Sequence, residues 1–259
     1  MINLLFIGDI VGRAGRRAIR KLLPEIQKEN SIDIIIANGE NSAGGFGITE
    51  KVFKELLGYK IDCITMGNHT WNNKDIFNFI SDTDKLIRPI NYLSGTPGTG
   101  WTKIEIDNYT IGIINLIGQV YMGEHYPPLE IFEQKINMIN NQTDLIIVDF
   151  HAEATGEKLA FAHCVDGKVT AIAGTHTHVQ TTDAKILPSG TGYITDLGLT
   201  GAVNSILGMK KNKIIKKYRT KMPTNFDVGT GKVQLEGAIY SINPKSGCTE
   251  NIKIIHKTD

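Results

Sequence analysis

Carboxylates, amides and four imidazoles in this chain of 259 residues stand just after short apolar runs, where strands would end. Leu5-Phe6-Ile7 is followed by Gly8-Asp9, and Ile34-Ile35-Ile36-Ala37 by Asn38-Gly39-Glu40-Asn41. Ile64-Thr65-Met66 leads into Gly67-Asn68-His69, and Ile146-Ile147-Val148 into Asp149-Phe150-His151. Val169–Ala173 leads into Gly174-Thr175-His176-Thr177-His178. Neutral imidazole is the commonest nitrogen ligand of metals, and residues i and i+2 of an extended segment point the same way. His176 and His178 therefore have the spacing to grip one ion. Mixed Asp, Glu, Asn and His donors suit Mn, Fe or Zn better than Ca or Mg alone. Gathered polar groups offset the cost of burial only when bonded, and a metal pair is the simplest partner for this set. Two ions about 3.5–4 Å apart form a clamp for in-line displacement at phosphorus. His176 and His178 then diverge, one to each ion.

The elements that would position these groups are legible in the periodicity. Strand-like runs rich in β-branched residues cover Asn3–Ile7, Asp33–Ala37, Cys63–Met66, Thr110–Leu116, Leu145–Asp149 and Val169–Ala173. Between them, Gly15–Glu29 carries Ala18, Ile19, Leu22, Leu23 and Ile26 at helical spacing. Thr49–Leu57 opens on a capping residue and closes on Gly58. Leu129–Ile139 and Glu157–Val165 read as two further helices. This alternation predicts parallel strands with crossover helices, whose carboxyl ends form one ligand-binding rim. Trp101–Ile106 and Tyr109–Leu116 read as a hairpin, and Gly192–Asp196, Val233–Ile242 and Asn251–His256 as later strands. A second, mixed sheet packed on the first is expected, with no repeat or linker to divide the chain.

Composition narrows the class. Hydrophobic residues at 41%, charged residues at 21% and a net charge of +1 fit a soluble globular protein rather than a nucleic-acid coat. Cys63, Cys164 and Cys248 form no CxxC pair, which predicts a reducing, cytoplasmic setting. No signal peptide is visible, and no apolar run approaches the roughly 20 residues that span a bilayer. The one charge concentration, Met209–Lys221, reads as a solvated face more readily than as a nucleic-acid contact. His163 and Cys164 read as packed helix residues, His125 as a loop residue and His256 as solvated. Glu153 and Glu157 follow His151 closely enough to shape a pocket. Simpler readings exist for each block: Asp9 as a helix cap, Gly8–Gly15 as a loose imitation of a dinucleotide loop, Asn41, Asn68 and His69 as turn residues. None explains all five blocks together.

In order and spacing the blocks resemble those of the calcineurin-like metallophosphoesterases. The closer likeness is to the YmdB-like branch of bacterial phosphodiesterases, through Gly8-Asp9-Ile10-Val11-Gly12, Gly39-Glu40-Asn41, Gly67-Asn68-His69-Thr70 and Gly174-Thr175-His176-Thr177-His178. Val11 stands where most calcineurin-like enzymes have a ligand His, and Glu40 where they have Asp; both are normal in the YmdB-like branch. The resemblance implies an α/β fold in a single domain over residues 1–259, a four-layer αββα sandwich of two mixed sheets flanked by helices. It implies Asp9, Glu40, Asn41 and His178 on one metal, with Glu40 bridging to a second completed by Asn68, His151 and His176. His69 would stay off the metals and face the phosphate. The metals would be iron or manganese, with zinc or magnesium as the other candidates. The implied reaction is hydrolysis of 2′,3′- or 3′,5′-cyclic nucleotides by a hydroxide bridging two metals, with His69 as acid or phosphate contact. The competing readings are a regulatory nucleotide- or RNA-binding protein with incidental hydrolysis, and a phosphomonoesterase. A homo-oligomer is compatible with the sequence.

Overall fold

A computed structural model describes all 259 residues. In chain order the strands are β1 (Ile2–Ile7), β2 (Asp9–Ile10), β3 (Ile34–Asn38), β4 (Cys63–Thr65), β5 (Leu86–Ile87), β6 (Trp101–Ile106), β7 (Tyr109–Ile117), β8 (Leu145–His151), β9 (Ala171–Thr175), β10 (Lys185–Ile186), β11 (Gly192–Ile194), β12 (Leu199–Ala202), β13 (Val233–Ile242) and β14 (Thr249–Thr258). The helices are α1 (Gly12–Glu29), α2 (Glu50–Gly58), α3 (Pro128–Asn140), α4 (Thr155–Cys164) and α5 (Lys211–Thr220). One sheet runs β2-β12-β13-β1-β3-β4-β5, with β14 on β13; the other runs β10-β11-β9-β8-β7-β6. In each, a parallel centre carries antiparallel neighbours.

Alternation along the strands sorts side chains into separate cores. In β1, Leu4 and Phe6 face the opposite sheet, while Leu5 and Ile7 face helix α1 with Ile19, Leu22 and Leu23. In β8, Leu145 and Ile147 enter the inter-sheet core, and Ile146, Val148 and Phe150 pack beneath Phe132 and Phe161 of α3 and α4. The result is the four-layer αββα order. Towards the carboxyl ends the inter-sheet rows turn polar in the same register: Asn38 follows Ile34 and Ile36, Asn115 follows Ile111 and Ile113, and Asp149 and His151 follow Leu145 and Ile147. Thr175 follows Ala171 and Ala173. All five polar residues are fully buried.

Several expectations shift. The strand expected at Val169–Ala173 is displaced to Ala171–Thr175, because Val169 bridges back to Asp166 in the turn after α4. The late strands divide: β11 joins the second sheet, whereas β13 and β14 extend the first. Thr49 caps α2 as expected, accepting from the Val52 N–H, but the left-handed residue that ends it is Lys60 (φ 64°), not Gly58. His163 and Cys164 are exposed rather than packed, since the face of α4 that meets the sheet carries Lys158, Phe161 and Ala162. His256 is exposed and pairs with Glu236. Met209–Lys221 contains α5, which buries no residue. No helix is long and apolar enough to cross a membrane.

Lys158 is a cation placed where a core residue would sit. Its ammonium donates to the Thr175 carbonyl at 2.7 Å and to Asp196 Oδ2 at 2.8 Å, with both side chains essentially inaccessible. Asp196 in turn accepts from the backbone N–H groups of Thr177 and Gly198. One ion pair thus ties helix α4 to the segment after β9. Removing one partner leaves a buried charge alone, so Lys158→Met is expected to cost about 3–5 kcal/mol of stability, read by chemical denaturation. The double change Lys158→Met/Asp196→Leu should recover part of that loss; a single variant as stable as wild type would contradict this role.

Candidate metal centre

The carboxyl ends of β1, β3, β4, β8 and β9 meet at the seam between the sheets. His151, at the last position of β8, is the hub. Its Nε2 lies 3.0 Å from Asn68 Oδ1, 3.1 Å from Glu40 Oε1 and 3.1 Å from His176 Nδ1. Glu40, His151 and His176 offer ligand atoms within 4.8 Å of one another. On the other side of Glu40, the Asn41 Nδ2 lies 3.2 Å from Glu40 Oε1 and 3.2 Å from His178 Nε2, which is 3.6 Å from Asp9 Oδ1. Two groups therefore abut: Asn68, His151 and His176 on one side, Asp9, Asn41 and His178 on the other. Glu40 Oε1 touches both.

The backbone is shaped around these contacts. A Cβ at Gly67 would collide with the His151 ring and the Glu40 carboxylate, so only glycine lets the chain pass there. His176 and His178 have φ of 100° and 61°, which non-glycine residues adopt at a cost of order 1–3 kcal/mol each. The segment is consequently not extended as its i, i+2 spacing first suggested, and the two rings turn apart. Asp9 Oδ2, accepting from the His176 N–H at 3.1 Å, and the Lys158–Asp196 pair hold that geometry. Asp9 is not the cap of α1; Val11 occupies that position without a side-chain bond.

Residues that sequence reasoning missed stand behind His151. Its Nδ1 lies 2.8 Å from Thr175 Oγ1, which donates to Asp149 Oδ1 at 2.7 Å, and Asn38 Nδ2 donates to Asp149 Oδ2 at 3.2 Å. With the Thr175 proton committed to Asp149, its oxygen accepts from His151 Nδ1–H. Nε2 is thereby the ring nitrogen turned to the cluster. Asp149 carried a signal: it is a carboxylate inside an otherwise apolar run. Glu153, at 3.0 Å from His176 Nε2, also joins the rim, as its position after His151 suggested. His69 lies outside both groups. Its backbone N–H donates to Glu40 Oε2 at 2.9 Å, and its ring meets Phe46 edge-on at 4.9 Å. His125 is a loop residue against Tyr92. Glu157 binds the Gln119 and Val120 N–H groups rather than the centre.

Burial works against the ionised form of Asp9, but the His178 imidazole 3.6 Å away overcomes it and holds the carboxyl well below its usual range. Burial likewise disfavours the Glu40 carboxylate, and His151 beside it lowers the group nonetheless. Burial depresses the His151 imidazole, yet Glu40 pushes it up to about 9. Burial and the adjacent His151 push His176 down to about 4. Burial also pushes Asp149 up to about 6. Two buried carboxylates thus stay ionised beside imidazoles, and Asp9 Oδ1, buried, has no hydrogen-bond partner in the protein. Converging oxygen and nitrogen donors with an unpartnered buried carboxylate oxygen fit divalent metal ions.

Residues 5–255 match the family model described as YmdB-like protein. The chain is 43% identical over 245 residues to a Bacillus subtilis protein named 2′,3′-cyclic-nucleotide 2′-phosphodiesterase, covering 95% of this chain and 93% of that one. A protein of Thermus thermophilus, described as hypothetical, superposes with a TM-score of 0.93 at 33% identity over 100% of both chains. The crystal structure titled a novel phosphatase, from Mycoplasma pneumoniae, gives a TM-score of 0.93 at 32% identity over 99% of this chain and 93% of that one. The four layers, the strand-end blocks and these similarities together place the chain in the YmdB-like family of metallophosphoesterase enzymes, which hydrolyse phosphoester bonds.

Proposed function

We propose that this protein hydrolyses 2′,3′-cyclic nucleotides with a pair of divalent metal ions, iron or manganese before zinc or magnesium. The observation that carries the reading is Glu40, whose Oε1 faces both ligand groups at once, as a bridging carboxylate would. One ion would be held by Asn68, His151, His176 and Glu40, the other by Asp9, Asn41, His178 and Glu40. A half-turn of the Asn41 amide presents its oxygen in place of Nδ2. When bound, such ions offset charge on the phosphoryl oxygens and lower the pKa of water. The Bacillus subtilis relative's name supplies the substrate class and the bond: water adds to phosphorus, the P–O2′ bond breaks and the 2′ oxygen takes a proton.

The chain's own residues divide the remaining work. His69, outside both ligand groups on the Phe46 side, is assigned as the proton donor or the contact to a phosphoryl oxygen. Its backbone N–H orients the Glu40 carboxylate. Asp149 and Thr175 fix the His151 tautomer, and Lys158 and Asp196 hold the histidine segment.

His69→Ala is expected to lower turnover of a 2′,3′-cyclic mononucleotide about 10²–10⁴-fold while metal content stays at the wild-type level. Glu40→Ala should lose both turnover and metal. Wild-type turnover in either variant contradicts the assignment, and preferred turnover of a 3′,5′-cyclic nucleotide or a phosphomonoester moves the substrate class. Thr175→Val, which frees the His151 tautomer, is expected to weaken metal binding about 10–100-fold in a competition titration. Unchanged affinity would remove Thr175 from the positioning role.

A further inference from the structure

Charge is segregated in this near-neutral chain. Residues 12–21 and 210–221 hold twelve of its 28 Lys and Arg and no carboxylate, leaving sixteen cations to face 27 acids elsewhere. The first segment opens α1, where Arg13, Arg16, Arg17 and Arg20, joined by Lys51 of α2, line a groove of about 630 Å³ closed on its far side by Val228–Thr230. Glu55 is the groove's carboxylate, and Arg16 pairs with it at 2.9 Å. Arg13, Arg20 and Lys51 are exposed and enter no ion pair. The second segment is α5 with its flanking lysines. Apart from Lys210, which meets Asp227, its cations have no acidic partner. Tyr218, 75% exposed, stands among them.

Both segments border the candidate metal centre. The Gly12 N–H donates to the Asn41 carbonyl at 2.8 Å, and Arg16 Nη1 to the Ser42 carbonyl at 2.6 Å. On the other flank, His178 Nδ1 contacts the Leu207 carbonyl at 3.2 Å, three residues before Lys210. Ile214 of α5 shares an apolar cluster with Phe46, the ring that abuts His69, and with Val228, which also walls the groove. The rim thus leads onto two cationic surfaces that share Val228. A mononucleotide carries a single phosphate and has no use for them.

We infer that the substrate is an RNA strand ending in a 2′,3′-cyclic phosphate, its terminal nucleotide in the centre and its upstream phosphates on α1 and α5. The inference rests on the 2′,3′-cyclic phosphodiesterase reading above. A cyclic phosphate of this kind exists only at a 3′ end, so a longer substrate continues solely from the 5′ oxygen of the bound nucleoside. Lysines and arginines meet backbone phosphates without regard to sequence, and the exposed Tyr218 offers a stacking face for an unpaired base. The reaction that supplies such ends is RNA cleavage by attack of a 2′ hydroxyl on its neighbouring phosphate. The product here is a 3′-phosphorylated strand.

The test compares kcat/KM for a 2′,3′-cyclic mononucleotide and for a ten-nucleotide RNA ending in the same group, using the full metal-loaded chain. The RNA is expected to be preferred at least about tenfold at low salt. If about four phosphates are neutralised, RNA binding falls about fifty-fold between roughly 50 and 200 mM salt. The triple change Lys213→Gln/Lys216→Gln/Lys217→Gln and the double change Arg13→Gln/Arg20→Gln should each bring the RNA-to-mononucleotide ratio towards one. A wild-type ratio of one or less, or a ratio the variants leave intact, overturns the inference while mononucleotide turnover upholds the parent reading. Turnover of neither substrate overturns both. Binding to phosphatidylglycerol vesicles without RNA preference overturns it in favour of an anionic membrane surface.

Discussion

Everything in this molecule answers to the cost of burying Asp9, Glu40 and His151 together. An isolated carboxylate removed from water costs more than a domain with a net stability of only about 5–15 kcal/mol can sustain. Glu40 and His151 are 1% or less exposed and 3.1 Å apart, and Asp9 is equally buried beside His178. Each charge is compensated by the next, yet an oxygen of Asp9 remains without a partner. A set of donors balanced among themselves but still short of positive charge is the natural seat of cations.

Two sheets rather than one are needed to build that seat. A single parallel sheet lines up strand ends along an edge, whereas here the ends of β1 and β3 face those of β8 and β9 across the seam. Apolar side chains fill the seam over most of its length, and the same alternating register delivers Asn38, Asp149, His151 and Thr175 into it at the carboxyl ends. The rigid core thereby becomes the template of the centre. Local strain at His176 and His178 is sustained by the buried Lys158–Asp196 pair, which anchors the segment that carries both histidines.

The sequence made the clustered polar side chains readable because each block begins where an apolar run stops and a turn residue follows. It made the two-sheet architecture readable through the hairpin and the strand-like last quarter, although not which sheet each late strand joins. β2, β5, β10 and β12 span two to four residues and are too short to show a period. Thr175 and Lys158 stayed hidden because their partners, Asp149 and Asp196, come from strands and loops that only tertiary packing brings near. The traces they left were a carboxylate within the Leu145–Phe150 run and a lysine three residues before Phe161 on a packed helix face. His163 and Cys164 went astray for the same reason: Lys158, not Leu159, sets the buried face of α4.

The central claim is that Glu40 stands between two metal ions. Crystals of the metal-loaded protein, measured at the absorption edges of iron and manganese, test it most directly. The account predicts two anomalous peaks about 3.5–4 Å apart, one among Asn68, His151 and His176, the other among Asp9, Asn41 and His178, with Glu40 touching both. A single peak bound on one side of Glu40, or none with these side chains in the same arrangement, would contradict it.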